Sequence, residues 1–349
     1  MSLLDRRSAP CCMAKPWPRL PGVRGAWRCA LLALLVVSAV LPEQAWARKV
    51  HLARKYRRGE KMVYETQLNT RTQYQLDPPS LQTFLPPFPT TLTMRQQTTV
   101  TVQDIHPDGR VDLQDRFDRF DIQSTFPEAA PENLRQAAQQ AQDEFRQEVA
   151  GHALTAHYDR EGRLLGFEGA DELLEPLDAP LRESLRQALR VFLEQLGGNT
   201  IYPGHPVEQG ETWKRTLSAP ASKEYPFQSE GESTLHYVGN TTYRGVKAAI
   251  VEFEFANTLT PAQDSLQETG PISQLQAEGV RTEIHIQGQG KGRLLLALDN
   301  GRILQNQSTV HQTLNARMSG ATPDGPSLPQ PVRVLIQTET RMEVEGSGK

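Results

Sequence analysis

Cysteine is confined to one end of this sequence. Cys11, Cys12 and Cys29 are the only three cysteines, and none follows Cys29. Disulfides, thiolate metal sites and a cysteine nucleophile are therefore excluded for the rest of the chain. A chain of this length can do without such cross-links because it can bury a large apolar core.

A long apolar run is also lacking. The longest one, from Cys29 to Leu41, has 13 residues, which is too short to cross about 30 Å of hydrocarbon as a helix. Arginines precede this run and Ala45-Trp46-Ala47 follows it, a pattern typical of a cleaved signal peptide. We therefore predict that residues 1–47 are a signal peptide cleaved near Ala47. The mature chain is expected in the periplasm or secreted, with no transmembrane segment.

Basic charge is not in excess. The first 47 residues hold six Lys and Arg and two Asp and Glu, which leaves 32 basic against 39 acidic residues and a net charge of −7 for residues 48–349. A mildly acidic protein is poorly suited to nucleic acid or to an anionic membrane surface. We expect no nucleic-acid partner.

Familiar catalytic motifs are missing as well. The sequence has no Gly-x-Ser-x-Gly and no His-Glu-x-x-His, and its eight histidines show no pair with metal-ligand spacing. Glu252 and Glu254 could form a carboxylate pair, but the apolar Val251 and Phe253 alternate with them and favour a solvated strand face. We predict a non-enzymatic protein with no catalytic residue, no metal and no cofactor.

The clearest pattern that is present is a period of two over residues 280–298. Even positions are mostly apolar or glycine, whereas odd positions up to Arg293 are charged, polar or histidine. This alternation is typical of a long strand with one face buried. A three-residue loop at 299–301 would then close a hairpin that pairs Leu296 with Leu304 and Ile286 with Leu314.

Three glycines of this strand alternate with Gln289 and Lys291. A glycine-rich phosphate loop would need Gly-Lys-Ser or Gly-Lys-Thr between a strand and a helix, and that context is absent. We expect close packing of another element over Gly288, Gly290 and Gly292, or a kink in a curved sheet.

Other segments alternate in the same way. Asp108-Gly109 predicts a two-residue hairpin with Val100 opposite Phe117 and His106 opposite Val111. Residues 332–344 predict a closing strand. Helical periodicity instead marks residues 133–149 and 179–196, each with an apolar stripe.

The two halves of the chain share an order of motifs. Gly59-Glu60 opens the first half and Gly210-Glu211 opens the second, an aromatic-proline loop follows in each, and two hairpin turns come later in matching positions. Common turn chemistry is the alternative explanation, but a duplication accounts for the shared order. We predict a first β unit with two helices at 48–200 and a second β unit at 201–349. Together they would form one globular assembly.

The predicted fold class is mainly β (α+β): a large curved antiparallel sheet built from two similar halves, with two amphipathic helices packed against it. With its Gly-Glu turns, its hairpins and the segment from Pro206 to Trp213, the chain resembles a group of exported bacterial β-rich proteins of unknown function. A curved sheet with helices on its concave face is also similar in architecture to periplasmic lipoprotein carriers of the LolA and LolB type. That resemblance implies a carrier of apolar ligands, and the group supplies no catalytic residues.

Aromatic side chains lie in two proline-rich loops where polar turn residues would be expected. Such stiff loops could rim an apolar cleft, or they could fold back and cap the open end of the sheet. The candidate ligand-binding residues are Phe84, Leu85, Phe88, Tyr225 and Phe227.

Our leading hypothesis is an exported envelope protein that binds an apolar ligand, such as a lipid or acyl chain, without catalysing a reaction. The alternative is an envelope scaffold that binds a protein partner through exposed loops or through an edge strand at 332–344. A third class, a hydrolase, would need a cleft with convergent carboxylates or histidines.

Overall fold

The computed structural model describes most of the chain after residue 48. The described residues are 49–79, 90–128, 130–175, 186, 189–190, 193, 201–219, 227–261, 280–320 and 332–348. The predicted signal peptide at 1–47 lies outside them.

The strands of the described residues form one antiparallel sheet. The spatial order is β5-β4-β3-β2-β1-β11-β10-β9-β8-β7-β6, so two meanders meet where β1 pairs with β11. The strands are β1 (Lys61–Asp77), β2 (Thr91–Ile105), β3 (Val111–Thr125), β4 (Ala153–Tyr158), β5 (Leu164–Glu168), β6 (Thr212–Ala219), β7 (Phe227–Tyr243), β8 (Val246–Pro261), β9 (Val280–Ala297), β10 (Ile303–Gly320) and β11 (Val332–Gly348).

Two helices are described in the first half of the chain, α1 (Glu132–Val149) and α2 (Ala170–Leu174). The helix expected at 133–149 is α1, and it packs on β3, where the ring of Phe145 meets Phe120 edge-on at 5.5 Å. Most of the helix expected at 179–196 lies outside the described residues. Its described positions are helical, and Leu193 among them is fully buried.

The two faces of the sheet differ sharply in polarity. We call the face that carries Leu294 and Leu296 the apolar face, and the one that carries Arg293 the polar face. Three clusters of buried side chains lie on the apolar face, over β6–β9, over β1–β4, and between β3, β4 and the helices. This confirms the period-two prediction for β9, whose odd residues from Glu283 to Arg293 are exposed.

The hairpin β9–β10 confirms one predicted pair and corrects the other. Ile286 lies opposite Leu314 as predicted, but Leu296 pairs with Ile303 because a bulge occupies the next position. Leu304 sits in this bulge and joins a small apolar cluster on the polar face. The bulge adds one residue to β10 and so turns Leu304 away from Leu296.

The hairpin β2–β3 has a longer loop than predicted. His106 N–H donates to the carbonyl of Arg110, and Gly109 takes the left-handed conformation with φ +90°. The prediction that Val100 faces Phe117 was wrong, because the three-residue loop and the bulge between Val102 and Asp104 place Val100 opposite Asp115. His106 closes the loop against Arg110, and Ile105 takes the predicted place opposite Val111.

Residues 332–344 do not form an edge strand. They belong to β11, which pairs with β1 on one side and with β10 on the other. The reason is the pairing of β11 with β1, a strand distant in sequence, which residues 332–344 alone do not show. The edges are β5 and β6, so a partner cannot add a strand at β11.

The glycines of β9 have neighbouring aromatic rings as close packing partners. Phe253 pairs with Gly292 and Phe255 pairs with Gly290 across the sheet. A Cβ atom at Gly292 would lie 2.6 Å from Phe253 Cζ. The expectation of close packing over these glycines is confirmed.

The turns before β1 and β6 make the same backbone hydrogen bonds. Gly59 N–H donates to the carbonyl of Val102, whose own N–H donates to Glu60; Gly210 and Glu211 bond Tyr237 in the same way. Both glycines are left-handed. The similarity of the two complete halves stays a prediction.

Candidate functional site

A row of apolar side chains crosses the middle of the apolar face. Leu68 on β1 lies between Met94 of β2 and Met342 of β11, and Ile122 of β3 lies beyond Met94. All four are half-buried. We call Ile122, Met94, Leu68 and Met342 the apolar row. Two methionines make it adaptable, since their unbranched thioether side chains fit irregular shapes.

The same strands are hydrophilic on the polar face. Gln67, Arg71 and Arg341 are exposed on the strands that carry Leu68 and Met342. A sheet with one apolar and one polar face is stable when something apolar covers the first. The helix α1 makes its main strand contacts with β3, at one flank of the apolar row.

Two buried polar groups lie above the apolar row on the same face. Asp115 of β3 is 2 % exposed and Thr98 of β2 is 6 % exposed. Within the described part of the chain, neither Asp115 Oδ1 nor Thr98 Oγ1 has a hydrogen-bond partner. Burial raises the pKa of Asp115 to about 7. We call Asp115 and Thr98 the polar niche.

Tyrosines flank this niche. Tyr64 pairs with Thr98 across β1 and β2, and burial raises its pKa to about 12. Tyr56 packs against the same cluster, and burial raises its pKa also. Both phenols therefore stay protonated at neutral pH and bring no negative charge to the niche.

A buried ion pair ties the segment before β1 to the β9–β10 loop. Arg54 Nη2 lies 3.4 Å from Glu60 Oε2, with side chains 7 % and 9 % exposed. The guanidinium lies over the ring of Tyr56, and Asn300 Nδ2 donates to Glu60 Oε1 at 3.0 Å. We call Arg54, Glu60 and Asn300 the arginine clamp. All the atoms that this clamp joins have protein partners, which marks it as structural.

A cleft of about 410 Å³ on the polar face contains two histidines. The carboxylate of Asp112 is hydrogen-bonded to His106 Nε2 and to His157 Nδ1, each at 2.8 Å. Burial raises the pKa of Asp112, but the hydrogen bonds from both histidines outweigh it and leave the pKa lowered. The described residues contain no group of three or more His, Asp or Glu suited to a metal ion.

A second groove, of about 630 Å³, crosses the polar face from β8 to β1. Its walls alternate in charge, with Glu252 and Glu254 on β8 beside Lys291 and Arg293 on β9. Glu252 and Glu254 are exposed, as the prediction of a solvated strand face requires. A groove of mixed charge is unsuited to an apolar ligand.

The predicted ligand-binding residues mostly lie outside the described part of the chain. These are Phe84, Leu85, Phe88 and Tyr225. Phe227 is described: it is half-buried at the start of β7, on the apolar face opposite Pro261. Whether the five residues lie together is therefore not tested, and their role stays a prediction.

The sequence did contain a signal for Asp115. Val111, Leu113, Asp115 and Phe117 share one face in the alternation of β3, so an acidic residue stands in an apolar series. The histidines of the cleft had no such signal, because His106 and His157 come from distant segments that only the sheet pairing brings to Asp112.

No protein-family model matches this sequence, and no curated protein matches it. Among solved structures it is similar to the outer membrane protein OprG from Pseudomonas aeruginosa, with 7 % identity over 84 % of this chain and 98 % of that one. The TM-score is 0.22, so this likeness carries no argument about function. Neither described helix has the length and apolar character needed to cross a membrane.

Proposed function

We propose that this protein binds an apolar ligand, such as a lipid or acyl chain, along the apolar row, without catalysing a reaction. The observation that carries the proposal is a sheet with one polar and one apolar face, on which the apolar row is only half-buried. The apolar run and small residues of the first 47 residues support export to the cell envelope. The resemblance to LolA and LolB carriers agrees with this function and stays a prediction.

The energetics favour a long alkyl chain over a small polar ligand. Each methylene that leaves water contributes about 0.8 kcal/mol, so a chain that lies across several strands gains from every side chain of the row. Methionines at two of the four positions let the surface adapt to chains of different shape.

Two substitutions on β1 test the proposal. Leu68→Gln places an amide in the apolar row, and Arg71→Gln introduces the same side chain on the polar face. We expect Leu68→Gln to weaken binding of dansylundecanoic acid to the delipidated protein by about tenfold, since burying an unpaired amide costs about 1–3 kcal/mol. Arg71→Gln should bind like the wild type.

Thermal unfolding of both variants provides the control for folding. Equal binding by a folded Leu68→Gln variant and the wild type would contradict a site at the apolar row. Failure of every variant and of the wild type to bind the probe would favour the alternative, an envelope scaffold that binds a protein through its loops or through β5 or β6.

We also propose that the two meanders are related by duplication. The matching hydrogen bonds of the Gly59-Glu60 and Gly210-Glu211 turns support it. Counting from these turns, Val102 corresponds to Tyr237 and the residues opposite them, Leu113 and Val251, correspond as well. The relation lets positions in one meander be compared with the other.

A further inference from the structure

We propose that the polar niche of Asp115 and Thr98 binds an uncharged hydroxyl headgroup of the apolar ligand. This inference rests on the proposed function, because it concerns the polar end of the same ligand. The ligands would be lipids with a free hydroxyl, such as long-chain alcohols or monoacylglycerols.

The niche has two buried hydrogen-bonding atoms on neighbouring strands of the same face. Asp115 pairs with Val100, and Thr98 pairs with Phe117, so the two polar side chains are diagonal neighbours on the apolar face. Diagonal neighbours on adjacent strands lie about 7–8 Å apart between backbones, within reach of a shared small group. Asp115 Oδ1 and Thr98 Oγ1 are both buried without a partner in the described part of the chain. A hydroxyl can donate to the carboxyl and accept from the threonine.

The niche and the apolar row lie on the same strands. Thr98 and Met94 are four residues apart on β2 and share the apolar face, a separation of about 13 Å along a strand. Gln96 lies between them on this face, opposite Thr66 and Phe120, so the alkyl chain of a headgroup at Asp115 would pass Gln96 to reach Met94 and Leu68. The niche and the row together form one amphipathic site.

Charge selects among possible headgroups. A carboxylate would meet the like charge of Asp115 in a buried place, and an ammonium would lie in the field of Arg54, which acts on both flanking tyrosines. A hydroxyl suits either protonation state of Asp115, because both the carboxylate and the neutral carboxyl accept a hydrogen bond. An alkane, which has only methyl ends, would leave Asp115 Oδ1 and Thr98 Oγ1 without a hydrogen-bond partner.

The second meander has an apolar residue at the matching place. Phe253 follows Val251 by two residues, as Asp115 follows Leu113, and its ring covers Gly292. The sheet position itself therefore does not require a carboxyl. The carboxyl is a property of the first meander, which also carries three of the four residues of the apolar row.

Displacement of dansylundecanoic acid by hexadecanol, hexadecane and palmitate tests the inference. In the wild type we expect hexadecanol to compete about tenfold better than the other two, the value of one hydrogen bond to a buried acceptor. Asp115→Leu should abolish this preference and keep binding of the probe. Thr98→Val, a smaller change, should reduce the preference, and Gln114→Leu on the polar face of β3 should retain it.

The outcomes separate this inference from the proposed function. An equal preference for hexadecanol in the wild type, Asp115→Leu and Thr98→Val would overturn headgroup recognition while chain binding stands. Preference for palmitate would also overturn it. Loss of probe binding by the wild type itself would overturn the proposed function instead.

Discussion

Asp112 and Asp115 lie three residues apart on β3, and their pKa values move in opposite directions. Asp112 lies on the polar face, where hydrogen bonds from His106 and His157 lower its pKa despite partial burial. Asp115 lies on the apolar face, where burial raises its pKa to about 7. The face of the strand therefore decides whether an aspartate is held ionised or is driven toward its neutral form.

Stability should depend on pH through Asp115. Its pKa in the folded chain lies above the ordinary value of 3.8, so its contribution is fully present below about pH 4 and is lost as the pH rises through 7. Asp115→Asn should therefore unfold at higher urea than the wild type at pH 8 and at similar urea at pH 4. The difference at pH 8 should reach a few kcal/mol, because a pKa difference of one corresponds to about 1.4 kcal/mol. Equal urea midpoints of the two proteins at pH 8 would contradict the prediction.

At the scale of one strand, β9 depends on glycine where β8 places aromatic rings. A Cβ at Gly292 would lie 2.5 Å from the carbonyl oxygen of Gln307 and 2.6 Å from Phe253. Gly292→Ala should lower the free energy of unfolding by about 1–3 kcal/mol, the usual cost of overpacking. Gly166→Ala on β5 is the matched control, since nothing lies within 4 Å of its added Cβ. It should be neutral or slightly stabilising. Equal urea midpoints for the two variants would show that β8 and β9 adjust freely.

Strands were more predictable than their exact pairing. The alternation of residues 280–298 indicated β9 and its buried face, because a strand turns every second side chain to one side. The bulge at Leu304 and the two bulges of β2–β3 were not predictable, since an inserted residue leaves the composition of a strand unchanged. The central place of β11 was missed for a related reason: it depends on which distant strand, here β1, pairs with it.

At the scale of the molecule, a site formed by residues from different strands is visible only after the strands have been paired. Asp115 was readable as a polar residue in an apolar series, whereas Thr98 gains its meaning only when the sheet places it beside Asp115. The apolar row draws on three consecutive strands, β1 to β3, and on the distant β11. A single strand indicates which of its faces is apolar. Only the complete sheet shows which polar side chains lie side by side on that face.

Substitutions in the arginine clamp test how strongly the segment before β1 is held to the β9–β10 loop of the other meander. Arg54→Met would leave the buried Glu60 carboxylate with the Asn300 amide and the Arg57 backbone N–H as partners and without a cation, and loss of one member of a buried ion pair costs about 3–5 kcal/mol. Arg58→Met is the matched control, because Arg58 pairs with Asp104 at the surface, with side chains 73 % and 40 % exposed. Such a pair contributes about 0–1 kcal/mol.

Urea unfolding should therefore separate the two variants by several kcal/mol in the free energy of unfolding. Arg54→Met combined with Glu60→Leu should recover most of the loss, since the unpaired carboxylate is gone. If Arg54→Met unfolds at the same urea concentration as Arg58→Met, the link between the segment before β1 and the β9–β10 loop contributes little to holding the meanders together.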